Sequence, residues 1–159
     1  MIRVNNLTKV VGIRTLFSID YLNIEAHDKI GLIGDNGSGK TTFLRILLHL
    51  DDEYAGRVQT NTQMNYLLNG SDEKLACRDK HFPAQNLNLS PGELQLHKLQ
   101  NLLADNDKFL LIDEPTSHLD IKNKNALAKR LEQRDKGFIL VSHDRDFINQ
   151  CCTKIFELI

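Results

Sequence analysis

Lys29-Ile30-Gly31-Leu32-Ile33-Gly34-Asp35-Asn36-Gly37-Ser38-Gly39-Lys40-Thr41-Thr42 is the stretch from which the fold is read. It opens on a compact apolar run suited to a buried strand and passes through a loop holding Gly34, Gly37 and Gly39. It then enters a segment in which Phe43, Leu44, Ile46, Leu47 and Leu50 keep helical spacing. The loop fits the pattern G-x-x-x-x-G-K-[ST], in which glycines let backbone amides converge on a phosphate and the following helix adds its positive end. Lys40 is placed for the β and γ phosphates of a nucleoside triphosphate, and Thr41 for Mg²⁺. Gly34, Asn36, Gly37, Gly39, Lys40, Thr41 and Thr42 are thus the candidate nucleotide-binding residues.

Outward from this unit, Phe109-Leu110-Leu111-Ile112 and Phe138-Ile139-Leu140-Val141 are unbroken apolar tetrads of the kind buried on both faces of a parallel sheet. Ala126, Leu127 and Leu131 between them suit a crossover helix that ends near Gly137. Strand, helix and strand in this order predict an α/β fold. Alternation at Ile2 and Val4, and at Phe17, Ile19 and Tyr21 before Leu22 and Ile24, predicts an antiparallel layer at the N-terminus. From Arg57 to Leu89 the chain is polar and only Met64-Asn65-Tyr66-Leu67-Leu68 reads as a strand, so residues 70 to 88 read as loop.

The 159 residues are 41% hydrophobic and 26% charged, with a formal net charge of -1. That balance excludes a disordered polyanion and a polybasic arm, and it suits one globular domain over 1–159. The first residues lack an apolar signal segment and the apolar runs are far too short to cross a bilayer, so a cytoplasmic protein without membrane insertion is expected. Cys77, Cys151 and Cys152 cannot all pair and are expected as free thiols.

Asp113 and Glu114 stand at the end of the Phe109 tetrad, where open α/β sheets bind ligands. Asp113 is read as the Mg²⁺ carboxylate and Glu114 as the group that polarises an attacking water. His143 follows the second tetrad at the same sheet edge and can donate to the γ-phosphate. Ser90-Pro91-Gly92-Glu93 is a capping box with proline at the first helical position, continued by Leu96, Leu99, Leu102 and Leu103. Such a helix start is also an anion site, with Ser90 and Gly92 the candidates for another subunit's γ-phosphate. Lys122, Lys124, Lys129, Arg130 and Arg134 read as a solvated helix face, with contact to RNA as the alternative.

Taken together, these motifs resemble the ATP-binding cassette ATPases, and among them the ABC-F class of translation factors and ribosome-protecting resistance proteins. In that family's terms the chain has a Walker A loop at Gly34 to Thr41, a signature loop at Leu89 to Glu93, and a Walker B strand ending at Asp113 with catalytic Glu114. A D-loop around Asp120 and the switch histidine His143 complete the series. Glu114-Pro115-Thr116-Ser117-His118-Leu119-Asp120 and Ser142-His143-Asp144-Arg145-Asp146-Phe147 are close to the class's own variants. The resemblance implies the P-loop cassette fold with a shortened helical subdomain over about residues 70–104, ATP hydrolysis with Mg²⁺, a second cassette as partner, and action on the ribosome.

The chain departs from the family pattern at Val10-Val11, where an adenine-stacking aromatic is usual, at Pro91 in place of a signature glycine, and at Asn69. Asn69 occupies the place of the glutamine that senses Mg²⁺ and is one methylene shorter. The resemblance also implies a first cassette whose second half is missing or supplied as a homodimer. Two other readings stay open: the ATPase subunit of a membrane transporter, and a half-module that binds ATP without hydrolysing it.

Overall fold

The computed structural model describes residues 1–68 and 90–159. The loop expected over 70 to 88, Cys77 and the metal candidate Asn69 lie outside the described residues, as does most of the expected helical subdomain. The elements in chain order are β1 (Ile2–Val11), β2 (Arg14–Ile24), β3 (Lys29–Ile33), α1 (Lys40–Leu47), β4 (Ala55–Thr60) and β5 (Met64–Leu67). These are followed by α2 (Pro91–Ala104), β6 (Phe109–Asp113), α3 (Ile121–Glu132), β7 (Phe138–Val141), α4 (Arg145–Cys151) and β8 (Lys154–Glu157).

Two sheets form, an antiparallel one in the order β2-β1-β4 and a parallel one in the order β5-β6-β7-β3-β8. The apolar tetrads explain the parallel sheet. Successive residues of a strand point to opposite faces, so a strand without polar positions must be covered on both sides. Phe109, Leu111, Ile139 and Val141 face one cluster, which includes α1 residues Phe43, Leu44, Ile46 and Leu47 and the antiparallel layer's Ile2, Val4, Phe17 and Ile19. Leu110, Ile112, Phe138 and Leu140 face the other, with Leu99, Leu102 and Leu103 of α2, Leu127 and Leu131 of α3, and Phe147 and Ile148 of α4. The α/β class expected from the sequence is the class observed, with the antiparallel layer at the N-terminus.

The helix starts are fixed by side chains at three places. Ser90 and Glu93 form both arms of a capping box on α2, while Asp120 accepts from Asn123 N at 2.8 Å on α3 and Asp144 from Phe147 N at 3.0 Å on α4. Helix α1 has no side-chain cap. Its first amides are therefore left for whatever occupies the loop in front of it.

The structure differs from the sequence reading in four places. Tyr21 does not share a face with Phe17 and Ile19 but is 65% exposed. Asn6 on the paired strand has φ 48, and the inward set of β2 steps from Ile19 to Leu22, paired to Leu7 and Val4. β4 is a second missed feature: it pairs with β1 from Ala55 to Thr60, but only Val58 and Thr60 are half-buried and the rest is exposed, so its polar residues carry little strand signal. β8 is a short edge strand, and only register with β3 reveals it. Finally, Arg134 is no part of a solvated face. It is buried and donates to the carbonyls of Asp105 and Lys108 at 3.1 and 2.9 Å, clamping the turn before β6. Cys151 and Cys152 are free, with their sulfurs 4.0 Å apart.

Leu111 is wholly buried in the middle of β6. Its replacement by alanine is expected to cost about 2–5 kcal/mol, measured as a fall in the urea midpoint with the slope of the transition unchanged.

Candidate nucleotide-binding site

The parallel register brings the strand ends level: Leu32 pairs with Val141, and Val141 with Asp113. The loop after β3, the carboxylates after β6 and the histidine after β7 therefore meet at one sheet edge. They line a cleft of about 340 Å³ to which Asn36, Gly37, Gly39, Lys40, Thr41, Thr42, Asp113, Glu114 and His143 all contribute.

Gly39, the residue before α1, has φ 98, a left-handed conformation that a side chain disfavours. A Cβ there would also sit 2.7 Å from a ring carbon of Phe17 and 2.8 Å from Leu16. Bare backbone is thus required where the loop turns into the uncapped helix start, and the α1 amides together with the helix dipole make this mouth attractive to an anion. The Lys40 ammonium is held over the loop by the carbonyls of Gly34 and Asp35, each at 2.8 Å. Thr41 Oγ1 donates to Asp113 Oδ2 at 2.6 Å, tying the first turn of α1 to the end of β6.

Glu114 lines the cleft beside Asp113 and His143. Burial holds its carboxyl above the ordinary range, opposed by the nearby His143 imidazole and reinforced by the negative charge of Asp113. Its Oε1 is buried without a hydrogen-bond partner. His143 Nε2 lies 3.5 Å away, close enough for attraction but not a hydrogen bond, and the imidazole is 62% exposed. The Glu114 backbone has φ 50, a conformation that residues with side chains adopt rarely and that concentrates at functional sites. Its amide is fixed by donation to Val141 O at 2.8 Å.

The chain matches the sequence model of the ABC transporter family over residues 19–75. The erythromycin resistance ATP-binding protein MsrA of Staphylococcus epidermidis is 34% identical, over 94% of this chain and 33% of the relative. The ribosome protection protein VmlR of Bacillus subtilis is 31% identical over 99% of this chain and 31% of its own length. The chain is an ATP-binding cassette, and the relatives it resembles include proteins of the ABC-F class. It spans about a third of the length of these two relatives. A dimeric ATP-binding cassette solved in a post-hydrolysis state with ADP and Pi superposes with a TM-score of 0.78 at 20% identity, covering 99% of this chain and 94% of that one, which shows the fold.

Ser90 and Gly92 do not line the cassette's own cleft. The Ser90 hydroxyl accepts from Glu93 N at 3.3 Å and donates to Glu93 Oε2 at 2.8 Å, so it is engaged within α2. Gly34 lies where the loop begins, its carbonyl holding Lys40. Sequence reasoning missed Leu16 and Val141, which complete the cleft wall. Val141 carries only a core-strand signal. Leu16 enters because the β1–β2 pairing shifts register between Lys9 and Val10, and no short-range pattern marks such a bulge.

Because the folded-state pKa of Glu114 is raised, the folded chain holds this proton more readily than the unfolded one, and ionisation costs stability as pH rises through the folded value. Glu114→Gln is therefore expected to raise Tm at neutral pH. The gain should close as the pH falls below about 4, where both states carry the proton. Calorimetric scans across that range read the difference.

Proposed function

We propose that this cassette binds and hydrolyses Mg-ATP, as one of a pair of cassettes that act on the ribosome. The observation that carries the reading is the meeting of Lys40, the Thr41–Asp113 pair and the partnerless carboxylate oxygen of Glu114 in one cleft at the mouth of an uncapped helix.

The triphosphate lies along the loop, with the α1 amides and Lys40 toward its phosphate oxygens and Gly34, Asn36, Gly37, Gly39 and Thr42 shaping the cradle. The donor set fits magnesium. Mg²⁺ takes oxygen ligands and is commonly held by one or two protein groups together with substrate phosphates. Thr41 and Asp113 offer a hydroxyl and a carboxylate 2.6 Å apart, and the described residues contain no cluster of three or more acidic, His or Cys ligands that would make a self-sufficient metal cage. Bound there, the ion would neutralise charge on the phosphate oxygens. Asn69 is kept as a candidate third ligand.

Hydrolysis needs a water held in line with the bond to the leaving ADP. The free Oε1 of Glu114 accepts a hydrogen bond from that water, and its raised pKa makes it a better proton acceptor than an exposed glutamate. His143, exposed and adjacent, donates to the γ-phosphate. The water oxygen bonds to the γ phosphorus, the bond to the β,γ-bridging oxygen breaks, and the products are ADP and phosphate.

Two cassettes facing head to tail would bring Ser90 and Gly92 of one α2 toward the γ-phosphate held by the other. The likeness to the ribosome protection protein of Bacillus subtilis supports the ribosome, and with it ribosomal RNA, as the surface on which the pair acts. No described helix is long and apolar enough to cross a membrane. We read residues 1–159 as one such domain and a cytoplasmic setting as the one that fits it.

Steady-state phosphate release is expected to fall about 10²-fold or more in Glu114→Gln, with nucleotide still bound. The same variant should dimerise in light scattering only with Mg-ATP and then co-sediment with ribosomes. Hydrolysis that survives Glu114→Gln undiminished would remove this glutamate from the mechanism. A trapped dimer that ignores ribosomes would remove the partner.

A further inference from the structure

The loop that carries Glu114 is held at both ends. At its start, the Glu114 amide donates to Val141 O at 2.8 Å, and Thr116 Oγ1 meets Ser142 Oγ at 3.4 Å in a buried contact. Both contacts lie at the end of β7. On its other side, the loop meets the first turns of α2: Gln95 Nε2 donates to Pro115 O at 3.5 Å, and the His118 carbonyl oxygen sits directly on Gly92. A Cβ at Gly92 would lie 2.7 Å from that oxygen, so any larger residue must push the loop or the helix aside.

The loop has little freedom to absorb such a push. Glu114 and His118 both have side chains and both adopt left-handed backbone, with φ 50 and φ 65. Conformations of this kind persist only while surrounding contacts enforce them. The Ser117 amide donates back to Glu114 O at 3.3 Å and the Leu119 amide to Thr116 O at 3.2 Å, which links the two strained residues through one short turn. Moving the His118 carbonyl therefore strains the turn whose other end sets the Glu114 carboxylate.

We propose that Gly92 and Gln95 are positioning residues for Glu114 within the same chain, so that a shift of the α2 N-terminus re-aims the carboxylate. The functional value of this coupling rests on reading Glu114 as the group that holds the attacking water. The coupling itself does not. It differs from the contact of Gly92 with a partner's phosphate, because it operates inside one chain and needs no nucleotide. A second cassette docking on α2 would thereby reach the carboxylate of the subunit it docks on, as well as the phosphate across the interface.

The test uses amide NMR and hydrogen exchange on the nucleotide-free protein, where no phosphate is present for α2 to touch. In Gly92→Ala the amides of Glu114, Thr116, Ser117 and Leu119 are expected to shift and to exchange about tenfold faster or more, while Gly31 and Leu140 keep their wild-type behaviour. Gln95→Ala, which adds no bulk, should produce the same pattern more weakly and serves if Gly92→Ala does not fold. Adding His118→Gly to Gly92→Ala frees the carbonyl to swing away and should restore the Glu114 amide. Perturbation confined to residues 90–96 in both single variants would overturn the proposal. With Mg-ATP, Gln95→Ala, which lies outside the phosphate contacts, is expected to bind nucleotide as wild type does while hydrolysing it about tenfold more slowly. Coupled amides in a wild-type protein that hydrolyses nothing would leave the coupling standing and end the ATPase reading instead.

Discussion

The row Leu32–Val141–Asp113 across three parallel strands is the constraint on which the cleft depends. It places the end of β3, from which the glycine loop departs, beside the ends of β7 and β6. A slip of one residue in either pairing would turn the neighbouring side chains to the opposite face. The two-sided apolar tetrads prevent it. Phe109 and Leu111 are committed to one cluster, and Leu110 and Ile112 to the other. The register that buries the core is thus the register that assembles the chemistry.

At the cleft the same economy recurs. The Thr41–Asp113 hydrogen bond ties the helix that follows the loop to the strand that carries the carboxylates. Glu114, one residue beyond, is turned out of the extended conformation by its positive φ and leaves a buried oxygen without a partner. An unpaired buried acceptor costs on the order of 1–3 kcal/mol, and a left-handed backbone with a side chain a similar amount. Both costs fall on one residue. The surrounding contacts with Val141, Ser142 and α2 hold it there, and a water accepted at Oε1 would relieve the first of them.

Much of this was legible in the residues themselves. The strand, glycine loop and helix at Lys29 to Leu47, and the tetrads, gave the α/β class because each signal is local and strong. Ser90 and Glu93 announced the start of α2 through a pattern that has its own physics. Other features depend on distant partners. β4 has too little apolar face to read as a strand, and β8 is defined by pairing with β3. Tyr21 left its expected face and Leu16 joined the cleft through irregularities at Asn6 and between Lys9 and Val10, which no alternation pattern reports. Arg134 looked solvated among its lysine neighbours until the turn at 105–108 closed over it. The contact of Gly92 with His118 joins two motifs that the sequence presents separately.

The central claim is that the loop from Gly34 to Thr41 is the triphosphate site. Titration calorimetry with Mg-ATP on wild-type protein and on Lys40→Ala measures it directly. The account predicts saturable binding at one site per chain in the wild type, and loss of that binding in Lys40→Ala while its circular dichroism and Tm stay unchanged. Equal binding by both proteins, or none by the wild type, would contradict it.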